Sequence, residues 1–128
     1  MTSAARLREI ALALPEVEDK STAERLAFEV RGKGLAWSWL ERQTPKGPRR
    51  ARLDVLAVRC RAEEKDLILE SDPAVYFTEP HYSGFPAVLV RLEAIAEADL
   101  AALLAVAWRC QAPKTLLKAH PDPTRPAA

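Results

Sequence analysis

Apolar residues recur at Leu7, Ile10, Ala11 and Leu14, the i, i+3, i+4, i+7 spacing of one helix face. Ser3 is placed to cap that helix, and Pro15 ends it because the residue before a proline is pushed out of the α region. The acidic, polar run 16–24 reads as a connection. Period-2 alternation follows: Leu26, Phe28 and Val30 share one face, and Leu35, Trp37 and Trp39 share one face across the turn Gly32-Lys33-Gly34. This is the pattern of a hairpin. Carried through, the alternation aims Trp37 and Trp39 into the core beside Phe28, not outward as a stacking platform for bases.

A third strand carries Leu56, Val58 and Cys60 inward and Arg59 outward. Ala62-Glu63-Glu64 opens a second helix, with acids where the N-terminal dipole favours them, and it ends before Asp72-Pro73. Residues 75–78 predict a short fourth strand, and 87–92 a fifth with Val88, Val90 and Leu92 inward. The stripe Leu100, Leu103, Leu104, Ala107, Cys110 predicts a last helix over 97–111, stopped by Pro113. The expected fold is α+β: an antiparallel sheet of about five strands, with three helices mainly on one face. One domain is expected over 1–117, followed by a disordered proline-rich tail over 118–128.

Four segments also resemble the MmcQ/YjbR family. They are DPAVYFTEPHYSGFPAVLVRL at 72–92, ALPEVE at 13–18, FEVRGK at 28–33, and AWR at 107–109 continuing to APK at 112–114. The resemblance runs from Leu7 to Leu117. It implies a fold like that of CyaY and a bacterial domain described as DNA-binding through winged elements.

Size and composition narrow the function classes. The 128 residues are enough for one core without disulfides or metal. No apolar run reaches the ~18 residues needed to cross a bilayer. Arg6, Arg8 and Glu9 interrupt any secretory signal, so a cytoplasmic location is expected. Cys60 and Cys110 are far apart in sequence and read as small hydrophobes. The net charge is only +1, but Arg42, Lys46, Arg49, Arg50, Arg52, Arg59 and Arg61 fall in one stretch against a single anion, Asp54. That segregation makes the stretch the leading functional candidate.

No catalytic residue is expected. Ser83, His81 and Glu79 sit too close together on one turn to form a triad. The structural reading of that turn has the His81 imidazole bonded to a carbonyl and Gly84 at positive φ. No metal or other cofactor is expected: ligand-type residues lack short spacings, and Glu9, Glu16, Glu18 and Asp19 are too few for an iron-binding ridge. The expected partner is DNA, bound weakly and without sequence preference. Arg31 and Lys33 of the hairpin turn would contact it, with Arg42, Lys46, Arg49, Arg50 and Arg52 of a wing-like loop and with outward Arg59 and Arg91 in support. The alternative is a protein-interaction or small-ligand-binding domain, with a pocket at His81, Tyr82 and Phe85 near Trp108.

Overall fold

A computed structural model describes residues 2–42, 44 and 46–124. Helix α1 (Ala4–Leu12) starts where Ser3 accepts the Arg6 amide. Strands β1 (Val17–Asp19), β2 (Ala27–Val30), β3 (Lys33–Arg42) and β4 (Arg49–Arg59) follow. Next come α2 (Lys65–Ser71), β5 (Tyr76–Phe77), β6 (Ala87–Arg91), α3 (Glu97–Gln111) and α4 (Lys114–Ala119). The sheet has six antiparallel strands in the order β1-β2-β3-β4-β6-β5. The class is the expected α+β. The extra strand, β1, forms in the segment read as a connection, where Val17 pairs with Val30.

One face of the sheet carries the helices. Leu7 and Ala11 of α1, Leu14 just beyond it, and Leu100, Leu103, Leu104, Ala107 and Trp108 of α3 pack on Phe28, Val30, Leu56, Val58, Val88 and Val90. Those sheet positions alternate, as period 2 requires. The stripe foreseen for the last helix therefore faces the core. The 118–128 segment begins inside α4. Beyond it the His120 ring meets the Trp108 indole edge-on, with centroids 6.3 Å apart. Residues 125–128 lie outside the described residues.

Trp37 and Trp39 do not join that core. In the β2–β3 pairing Glu29 faces Gly34 and Phe28 faces Ala36, so Leu35 is an inserted residue. This bulge lets Leu35 and Ala36 both face the helices and reverses the parity of everything after it. Ser38 turns inward, fully buried, and its hydroxyl accepts the Leu26 amide at 2.8 Å. The two tryptophans turn to the opposite face. A second irregularity, where Leu53 to Val55 lose their β3 partners, separates β4 into two halves.

That second break leaves Trp39–Arg42 paired only with Arg49–Arg52, because the pairing of β3 with β2 ends at Trp37 and that of β4 with β6 ends at Val55. A two-stranded arm therefore extends beyond the sheet. The hairpin turn expected at Gly32-Lys33-Gly34 is instead the two-residue turn Arg31-Gly32, both residues at positive φ (50° and 81°) and flanked by the pair Val30↔Lys33. That is the geometry favoured by the twist of the strands. Gly84, by contrast, is not at positive φ.

Candidate functional site

The face without helices is apolar and aromatic. Trp37, Ala57, Leu89 and Phe77 lie in register across β3, β4, β6 and β5. They form a second cluster with Val55, Ala87, Tyr82 and Trp39. Among the described residues no α-helix contributes to it. Residues 78–86 cross this face as a strap, with the 3₁₀ turn Pro80–Tyr82 at its centre. Tyr82 is buried, and its hydroxyl accepts the Trp37 indole N–H at 3.1 Å. Phe85 stays 42% exposed and meets both Trp37 and Tyr82 edge-on.

Lys65 holds the strap in place, a role its sequence position does not suggest. Its ammonium, 7% exposed at the start of α2, donates to the carbonyls of Tyr82 and Phe85, the latter at 2.8 Å. Burial pushes its pKa down. The same two carbonyls also accept the Phe85 and Ala87 amides, so the ammonium takes up their remaining acceptor capacity.

Three arginines lie over the aromatic rings of this face. Arg91 sits 4.1 Å above Phe77, Arg59 5.5 Å above Phe85, and Arg52 6.0 Å from the Trp39 centroid. These are cation–π distances. Arg59 pairs with Ala87 and Arg91 with Val55, so strand parity places both outward as expected. Arg52 differs from them because its guanidinium is bound by Asp54 at 2.7 Å and by Glu41 at 2.5 Å. Those bonds raise its pKa and hold the Asp54 carboxyl below its ordinary value.

The nine cations singled out by sequence do not form one stripe. The Arg31-Gly32 turn and the β3–β4 connection lie at opposite ends of β3, roughly 30 Å apart at the rise of a strand. Arg31 is also engaged: its Nε donates to Glu16 at 2.6 Å and its Nη2 at 3.1 Å. Glu16 and Arg31 both have positive φ, and their pairing ties the entry of β1 to the turn. The Arg31–Lys33 end is thus separate from the other cations. Arg42, Lys46, Arg49, Arg50 and Arg52 do gather, on the arm and its tip. Arg49 donates to the Leu40 carbonyl at 3.2 Å, and Lys46 and Arg50 are exposed.

His81, Tyr82 and Phe85, the residues of the expected pocket, lie together, and Trp108 lies apart from them. Arg25, Trp37, Leu40, His81, Tyr82 and Phe85 line an open recess of about 350 Å³ on this face. His81 is exposed and touches the Tyr82 ring, without a bond to a carbonyl. Trp108 is not near it. That indole is 0% exposed on the helix-covered side of the sheet and donates to the Pro15 carbonyl at 2.8 Å.

Unmet hydrogen-bonding capacity concentrates here as well. The solvent-shielded side-chain atoms without a partner, among the described residues, are Trp39 Nε1, Arg59 Nε and Glu79 Oε1. Two belong to this face and the third to the strap. Such atoms are uncommon in folded proteins because each carries a desolvation cost. No helix among the described residues is long and apolar enough to cross a membrane.

Comparison with known proteins places the chain. The crystal structure of a Deinococcus radiodurans protein with a DUF419 domain superposes with a TM-score of 0.66, covering 98% of this chain and 93% of that one. At 18% identity the match speaks for the fold. Uncharacterized proteins of Mycobacterium bovis and Mycobacterium tuberculosis are each 48% identical over 67 residues. This stretch is 52% of the chain and 52% of each relative, so the match spans about half the length of these curated relatives. The YjbR family profile matches residues 12–110, well over half the sequence. The chain belongs to the YjbR family.

Proposed function

We propose that the chain is a non-catalytic nucleic-acid-binding domain that takes an unpaired strand across the helix-free face of its sheet. The carrying observation is the pairing of exposed and half-buried aromatic rings with Arg59 and Arg91, two cations that no carboxylate neutralises among the described residues. Single-strand binders combine these two elements, a cationic track for the backbone and rings on which bases stack. A guanidinium lying on a ring also offers its outer plane to a base. The arm, with Lys46, Arg49 and Arg50 exposed, would add phosphate contacts without sequence information.

Fluorescence anisotropy with single-stranded and duplex oligonucleotides of equal length, at low salt, tests the reading. The single strand is expected to bind more tightly, with affinity falling steeply as salt rises. No binding of either form would overturn it. The second reading, a small-ligand site, rests on the recess beside Trp37 and His81. It would gain if a planar aromatic compound saturated the recess while oligonucleotides did not bind.

A further inference from the structure

A separate recess of about 440 Å³ opens where the end of β4 meets the end of α3. Arg59, Arg61 and Arg109 line it, with Cys60, Cys110, Glu63 and Pro86. The strand, the loop after it and the last turn of α3 thus bring three arginines to the rim of one recess. None of the three has a carboxylate within salt-bridge distance among the described residues. Arg59 Nε is shielded from water and lacks an acceptor. Arg61 lies close enough to the Cys110 thiol to oppose the rise in its pKa.

The opposing charges are few. Glu63 lines the recess, and Glu64 is close enough to influence both thiols. The ammonium of Lys65 acts on Cys60 from the same side. Burial raises both thiol pKa values, so the cysteines stay neutral at physiological pH and add no negative charge. Cations outnumber anions around a polar hollow. Guanidinium forks match tetrahedral oxyanions by bidentate donation, and a dianion gains most from them.

We propose that this recess is a phosphate-monoester site, held by Arg59, Arg61 and Arg109. The monoester could belong to a free nucleotide or to the 5′ end of a strand lying on the neighbouring aromatic face, since Arg59 borders both. The site does not depend on the strand-binding reading.

The test follows the Arg59 Nε–Hε NMR signal of the whole chain during titration with inorganic phosphate, adenosine monophosphate and adenosine. Phosphate and the monophosphate should move it saturably, and adenosine should not. The variant R61Q/R109Q changes two exposed or rim side chains, and its folding is checked by its thermal midpoint. It should weaken the response on the order of tenfold. Parallel titrations with 5′-phosphorylated and 5′-hydroxyl oligonucleotides identify the source. A gain from the 5′ phosphate that R61Q/R109Q removes assigns the strand end. A response to free phosphate alone assigns a nucleotide. An unmoved Arg59 signal in tens of millimolar phosphate, or an equal response in the folded variant, overturns the site. If the 5′-hydroxyl strand binds in either of those cases, the strand-binding reading survives alone.

Discussion

The two faces of the sheet are built from the same strands and differ in what covers them. The helix-covered face holds Phe28, Leu56, Val58, Val88 and Val90 under α1 and α3, with Trp108 at 0% exposure. Its buried polar atoms are satisfied, as in Ser38 to Leu26 and Trp108 to Pro15. The other face has, among the described residues, the five rings of Trp37, Trp39, Phe77, Tyr82 and Phe85, with a strap in place of helices, arginines on the rings and unpartnered polar atoms. The difference supports the proposal that one face serves folding and the other recognition.

Substitutions of tryptophan should separate the faces most strongly. Trp108→Ala removes a fully buried indole and should cost about 3–5 kcal/mol in denaturant unfolding. Trp37→Ala removes a half-buried one and should cost roughly 1–2 kcal/mol. Equal losses would break the comparison.

Ser38→Ala tests the parity reversal. It leaves the Leu26 amide unpaired in the core and should destabilise by about 1–3 kcal/mol. A neutral result would mean that Ser38 does not face inward. On the open face, Arg59→Ala with Arg91→Ala should weaken single-strand binding about tenfold and flatten its salt dependence, at little cost in stability. Arg31→Ala with Lys33→Ala, at the far end of β3, should leave binding unchanged. Anisotropy titrations of the two pairs read this contrast directly.

The smallest effect is acid sensitivity. Glu16 is held below its ordinary pKa by its bond to Arg31, and Asp54 by its bond to Arg52. Depressed carboxylates contribute stability above their unfolded-state values and lose it as pH falls through the folded ones. A modest decline in the thermal midpoint below about pH 4 is therefore expected. Both pairs are solvent-exposed, which limits its size.

Much of the scaffold was legible. The helix stripes at Leu7–Leu14 and Leu100–Cys110 and the alternation in β2 and β6 carry their faces openly. The outward placement of Arg59 and Arg91 followed from parity alone. The tryptophans were misread because one inserted residue, Leu35, inverts a strand, and alternation cannot reveal an insertion. A signal did exist in Gly34: a glycine inside a strand often marks a bulge, and a β-carbon there would press the Trp37 ring at 3.3 Å. The ties of Arg31 to Glu16 and of Lys65 to the strap join residues far apart in sequence or elements whose approach only the fold reveals. Spacing could not supply them. Likewise, residues close in sequence order, such as Lys33 and Arg42, proved distant because a ten-residue strand separates them.

The three tryptophans provide the most direct measurement, because two sit on the helix-free face and one beneath the helices. A short single-stranded oligonucleotide titrated into ¹⁵N-labelled protein should shift the indole signals of Trp37 and Trp39 and leave Trp108 in place. Movement of Trp108 alone, or of none of the three at saturating strand concentration, would contradict the assignment of recognition to the helix-free face.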